Sequence, residues 1–179
     1  MQKTPPTIRR ATITDAPLLC ELSTVTFFET FAAHNTEEDM TQYLAESFNL
    51  DLQRADLSDD KTTFLIADVN EAAAGYAMLR AGAPPDEAED NHSIELVRLY
   101  VKKEWHGRGV GESLMQACLA ESRRQGYDNL WLGVWENNAR ARAFYRKWKF
   151  EEFGEHIFQL GGDAQNDFLM RRYLPDPGS

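Results

Sequence analysis

Apolar positions in this chain gather into short runs and stripes whose spacing changes from one segment to the next. Leu96, Val97, Leu99, Tyr100 and Val101 form a run rich in β-branched and aromatic types, broken only by Arg98, and predict a strand. Val110, Leu114, Ala117, Cys118 and Ala120 fall on one stripe at helical spacing, so a helix follows. Upstream, Thr7–Ile13 predicts a first strand. A helix then starts at a Thr14 or Asp15 cap, with Pro17 in its first turn, and runs to about Phe31. Thr36-Glu37-Glu38-Asp39 caps a second helix reaching about Phe48, whereas Asn49–Ser58 is too polar to decide between helix and loop. Lys61–Val69 and Ala73–Ala81 predict a hairpin turning at Asn70-Glu71, and Gly82–Asn91 an acidic loop. Asn129–Trp135 predicts a strand, Asn137–Trp148 a helix, and Phe150–Leu160 with Asp167–Tyr173 a closing hairpin around Gly161-Gly162. The order βααβββαβαββ, without internal repeats, describes a mixed α+β domain taken as one unit over residues 1–179.

Composition narrows the class. A 42% hydrophobic fraction opposes disorder, and no apolar run is long enough to cross a membrane. The first ten residues lack the apolar segment of a secretory signal, and the two cysteines, Cys20 and Cys118, fall in predicted helices, as reduced thiols of a cytoplasmic protein would. A net charge of −10 disfavours nucleic acid and favours cationic partners. The four histidines show no metal-ligand spacing with each other or with the cysteines, so no metal is expected.

Between the central strand and helix lies His106-Gly107-Arg108-Gly109-Val110-Gly111. Glycines at alternate positions let backbone N–H groups approach a ligand where a Cβ would clash, and they open a helix whose first N–H groups lack partners. That arrangement suits a phosphate. The spacing is neither the dinucleotide G-x-G-x-x-G nor a P-loop. It resembles the acetyl-CoA loop of the GNAT superfamily of N-acetyltransferases, Gln/Arg-x-x-Gly-x-Gly/Ala. Gly109 and Gly111 match, and His106 stands where Gln or Arg is usual but can still donate a hydrogen bond.

A second stretch carries the same resemblance. Asn138, Ala141 and Tyr145 keep the intervals Asn, Ala three on and Tyr seven on, although Lys149-Phe150 replaces the usual Gly-Phe. Residues seven apart turn about 700° on a helix, so Asn138 and Tyr145 share a face. The resemblance implies a three-layer fold with helices on both faces. Its central sheet would have six or seven mostly antiparallel strands, splayed at the acetyl-CoA site. It implies that backbone groups at Leu99, Tyr100 and Val101 pair with the pantetheine arm, assisted by Asn138. The loop residues His106, Gly107, Arg108, Gly109, Val110, Gly111 and Glu112 would wrap the pyrophosphate. Tyr145 would protonate the departing thiolate; its plain alternative is core packing with Phe144 and Trp148.

An alkylammonium with a pKa near ~10 must lose a proton before it attacks a thioester. Glu95 is the candidate base, matching a Glu in a histone-acetylating branch, and alternate positions put it on the face of Val97, Leu99 and Val101. An exposed edge carboxylate is the competing reading. In another branch the base lies five residues before the Asn, which here is Gly133. Phe28, Glu29 and Phe31, with Phe27 and His34, are candidates for the acceptor wall, against core packing for the phenylalanines. The acidic loop Asp86, Glu87, Glu89 and Asp90 reads either as an attractor of polycations or as a solvated loop.

The expected function is acetyl transfer from acetyl-CoA to a small-molecule or peptide amine, with direct attack and no metal. A homodimer stays open. The closing pattern from Leu130 and the FFETFAAHN stretch look most like bacterial spermidine/spermine acetyltransferases. The alternatives are a non-catalytic acyl-CoA-binding regulator on the same fold and, behind it, another nucleotide-binding module.

Overall fold

The computed structural model describes residues 5–85, 87 and 92–175. Seven strands make one sheet: β1 (Thr7–Arg10), β2 (Thr62–Val69), β3 (Ala72–Ala81), β4 (Ser93–Val101), β5 (Asn129–Trp135), β6 (Glu151–Leu160) and β7 (Asp163–Tyr173). They lie in the order β1-β2-β3-β4-β5-β7-β6, and every neighbouring pair is antiparallel apart from β4 and β5.

Helices cover both faces. On one side α1 (Ala16–Phe31) sets Leu19 and Leu22 against Phe64, Ile66, Tyr76 and Met78 of the sheet. Beside it, α2 (Glu37–Ser47) contributes Met40 to a cluster with Phe27, Phe31, Phe48 and Leu160. On the other side α4 (Val110–Arg124) buries Leu114, Met115 and Cys118 against Leu79, Ile94, Leu130 and Leu132, and α5 (Ala139–Lys147) adds Tyr145. The mixed α+β, mostly antiparallel three-layer expectation holds.

Local chemistry explains the element ends. The undecided polar stretch is a helix, α3 (Leu50–Ser58), because the Asn49 side chain accepts from the Leu52 N–H at 3.0 Å. The first strand stops at Arg10, short of the expected Ile13. There Asp15 takes the Thr12 N–H at 2.8 Å and two guanidinium bonds from Arg9, folding Ile13–Asp15 into a short 3-10 turn. Asn70 and Glu71 both have positive φ, 51° and 64°, as a two-residue hairpin turn requires. β7 starts four residues earlier than expected, since Gly161-Gly162 alone reverse the chain and Asp163–Asn166 pair with β6.

The feature that matters for function is the parting of β4 from β5. They pair at Ser93–Asn129, Ile94–Leu130 and Glu95–Trp131, and then separate. At that point β4 also slips against β3. Met78 faces Arg98 and Leu79 faces Leu96, so Val97 is an extra, bulged residue. The bulge changes which face each later side chain takes. Ile94 and Leu96 enter the core beneath α4, and so do Leu99 and Val101, while Val97 and Tyr100 point to the α1 side. Glu95 therefore shares a face with Val97 and Tyr100. Strict alternation had placed it with Leu99 and Val101, and the bulge overturns that expectation.

Candidate active site

The parted strands open a cleft of about 810 Å³ that reaches from the loop before α4 to the α1 side of the sheet. One wall is backbone. Lys102 N–H donates to Ala74 O at 2.9 Å, and Tyr100 O points toward Gly75, so the even positions of β4 bond to β3. Strand alternation then aims the backbone groups of Leu99 and Val101 into the gap. Tyr100 has its backbone turned away and its ring on the α1 side, 6.3 Å from the Phe27 ring and 6.4 Å from the Phe31 ring.

His106 closes the strand end. Arg140 Nη1 donates to His106 Nδ1 at 2.8 Å. A guanidinium only donates, so Nδ1 accepts and the ring proton sits on Nε2, which donates to Val101 O at 2.8 Å. The imidazole thus pins the loop to β4 and ties α5 to the loop.

The glycines act through conformation more than through space. Gly107 and Gly109 have φ of +71° and +86°, yet a Cβ on either would meet nothing within 4 Å. The left-handed backbone is what requires glycine there. Gly109 is the N-cap of α4 and no side chain caps that end, so the N–H groups of Val110, Gly111 and Glu112 are left to an outside acceptor. Gly107, Gly111, Glu112 and Arg140 line the cleft. Arg108 lies over the Trp105 ring at 5.2 Å, outside the lining residues, and Val110 is buried in the core. The Glu112 carboxylate stands 3.9 Å from the Lys147 ammonium.

From α5, Asn138 and Tyr145 both reach the cleft. The Asn138 Oδ1 accepts from the Ala141 N–H at 3.1 Å, capping its own helix, which leaves the Nδ2 amide as the group that can serve a ligand. Tyr145 is only 9% exposed, packed against Phe144 and Phe150. Burial holds its phenol well above the usual tyrosine range, so it carries its proton at neutral pH.

The α1 side of the cleft is built differently. Phe27, Phe31, Tyr43, Trp135 and Phe158 give it an aromatic lining, with Phe31 and Trp135 rings 6.0 Å apart. Phe31 is where the sequence placed it, but Phe28 is 55% exposed and outside the cleft, on the far side of α1. Glu29 lines the cleft with its Oε2 already accepting the Lys103 N–H at 2.9 Å, a tether between α1 and the loop. Glu95 opens on the cleft; burial pushes its carboxyl up, opposed by Arg80, His156 and Arg98.

Sequence reasoning passed over several lining residues: Arg140, His156 and Asp167 among them. Asp167 pairs with Trp135 on β5 and His156 on β6, so the three side chains share a face. Of the acidic loop, Glu87 pairs with Arg171, while Asp86, Glu89 and Asp90 lie outside the described residues. Among the described residues no group of three or more His, Cys, Asp or Glu side chains is placed to hold a metal, and no helix is long and apolar enough to cross a membrane.

Comparison with known proteins sets this geometry in context. The Acetyltransferase (GNAT) family matches residues 22–150. An uncharacterised N-acetyltransferase from the pepI 3' region of Lactobacillus delbrueckii subsp. lactis is 34% identical over 160 residues, 89% of this chain and 92% of that protein. The crystal structure of the PaiA N-acetyltransferase of Thermoplasma acidophilum, in complex with coenzyme A, superposes with a TM-score of 0.77 at 22% identity. It covers 94% of this chain and 98% of that one. The spermine/spermidine N(1)-acetyltransferase of Bacillus subtilis is a more distant relative, 26% identical over 85 residues, 47% of this chain and 56% of that protein.

Proposed function

The chain belongs to the acetyltransferase (GNAT) family and is an N-acetyltransferase, and from that premise we propose that it carries acetyl groups from acetyl-CoA to a cationic primary amine bound on the α1 side of the sheet. The observation that carries this reading is the parting of β4 from β5, with the Leu99 and Val101 backbone aimed into the gap and Tyr145 opening on the same cleft.

The division of labour follows from where the groups stand. Leu99 and Val101 offer backbone donors and acceptors to the pantetheine amides, as one strand pairs with another. The N–H groups of 110–112, at the positive end of the α4 dipole, receive the pyrophosphate, and Arg140 adds positive charge beside them. Tyr145, kept protonated by burial, donates its proton to the thiolate as the C–S bond breaks. Removal of the ammonium proton falls to a carboxylate on the opposite, α1-facing side of the sheet. Glu95 stands there by strand position. Aromatic rings and carboxylates together suit an alkylammonium. The distant spermine/spermidine relative supports a polyamine as one acceptor to test. The relatives bear transferase names, and nothing in them favours a non-catalytic acyl-CoA binder.

Thiol release from acetyl-CoA tests the reading across spermidine, spermine, a Lys-bearing peptide and a peptide with a free N-terminus. One amine should stand out, and Tyr145→Phe should lower its turnover by ~10²-fold or more with acetyl-CoA affinity kept. Turnover unchanged in Tyr145→Phe would remove the phenol from the reaction.

A further inference from the structure

Three carboxylates line the α1 side of the cleft; that of Glu29 already accepts the Lys103 N–H, and position along the strands separates the other two, Glu95 and Asp167. Glu95 stands opposite Trp131, at the last rung where β4 and β5 are still joined. Asp167 stands opposite Trp135, four residues further along β5, where the strands have parted. Between these levels lies Gly133, exposed to the cleft. A Cβ on Gly133 would lie 3.3 Å from Asp167 Oδ2, so the β7 carboxylate fills the space that a β5 side chain would otherwise take. Its other oxygen, Oδ1, is buried and has no hydrogen-bond partner. A native structure seldom leaves a buried carboxylate oxygen unserved, so this carboxylate keeps unused capacity to accept an N–H, on a residue that lines the cleft.

Resting on the acetyl-transfer reading above, the geometry points to Asp167 as the general base for the acceptor amine, with Glu95 as the second negative charge that holds a cation on the same wall. The proton balance closes. The ammonium gives one proton to the Asp167 carboxylate, and the neutral nitrogen forms the C–N bond at the thioester carbonyl. The C–S bond breaks, and sulfur takes the Tyr145 proton. The nitrogen's second surplus proton restores the phenol through solvent, and Asp167 releases its proton to water.

The surroundings fit the task. Burial raises the Asp167 carboxyl to about 6. Glu136, from the turn after β5, pushes the same way, and His156 on β6 pulls it down. Tyr43 of α2 also feels its charge, and Arg98 and Glu95 of β4 and Glu29 of α1 are further charged groups on that side of the cleft. A base in this range is charged at neutral pH and stronger than an ordinary aspartate.

The test uses the full-length enzyme and the amine that turns over best in the wild type. Asp167→Asn should lower kcat/KM at pH 7 by ~10²-fold, and the deficit should shrink above pH 9, where the amine supplies its own neutral form. Calorimetric affinity for acetyl-CoA should be unchanged. The wild-type kcat/KM should carry an acid limb falling tenfold per pH unit below about 6. The double variant Gly133→Glu/Asp167→Ala moves the carboxylate one strand across and should recover at least tenfold over Asp167→Ala. Asp167→Asn within threefold of wild type, or a loss equal at all pH values and confined to KM, would overturn the assignment while wild-type turnover keeps the acetyl-transfer reading in place. A wild type silent with every amine would sink both.

Discussion

The two halves of the cleft are made of different material. Toward the loop, most of the ligand-facing groups are backbone, the Leu99 and Val101 peptides and the open N-terminus of α4, with Asn138, Arg140 and Tyr145 of the α5 region beside them. Toward α1 they are side chains drawn from α1, α2 and the strands β4 to β7, aromatic for the most part, with Glu95 and Asp167 among them. A backbone site needs particular dihedrals, which restricts a few adjacent residues to glycine and tolerates nearly anything between them. A side-chain site needs particular atoms, and those atoms come from positions far apart in the chain. Damage to the first half should therefore appear as lost cofactor affinity, and damage to the second as lost amine turnover or selectivity.

Substitutions at three positions sharpen that contrast beyond those at Tyr145 and Asp167. The largest effect is expected at Gly109, where alanine would be forced into left-handed backbone at a cost of ~1–2 kcal/mol. Titration should show acetyl-CoA bound about tenfold more weakly, with the choice among amines intact. A changed amine ranking would break the division between halves. At His106, alanine removes the bond to Val101 O, worth about 1 kcal/mol, and should weaken acetyl-CoA about fivefold. Glutamine can donate to the same carbonyl and should stay within twofold, so His106→Ala and His106→Gln together isolate that bond. Phe28→Ala should be the quietest change, within twofold in every kinetic constant, because the ring lies outside the cleft. An amine-specific loss there would enlarge the acceptor site beyond the wall described above.

The same contrast governs what could be read from the chain. His106 to Gly111 and Asn138 to Tyr145 are contiguous, and their constraints leave a spacing pattern. The strand–loop–helix order around them was legible for the same reason. The helix at Leu50–Ser58 was not, because its capping bond from Asn49 stabilises a segment whose apolar stripe is weak. Phe27, Phe28 and Phe31 looked alike in sequence, and only α1's packing sends the first and third inward and the second to solvent. Asp167 was read as the first residue of the last strand, with nothing nearby in the chain to mark it as a cleft residue. Its role depends on pairing with Trp135 and on the missing side chain at Gly133, both long-range facts. Glu95 was grouped rightly with Val97 but wrongly with Leu99 and Val101, because alternation was counted straight through the bulge, and a bulge leaves no sure mark in one sequence.

That bulge also constrains how the segment can change length. Removing Val97 alone would restore the plain pleat, with Leu79 still opposite Leu96 and Met78 still opposite Arg98, and would leave Leu99 and Val101 in the α4-side core and Glu95 on the α1 side. An added residue has no such slack: it needs a second bulge or turns one end of the strand over. The segment therefore tolerates a one-residue loss at the bulge far better than a one-residue gain.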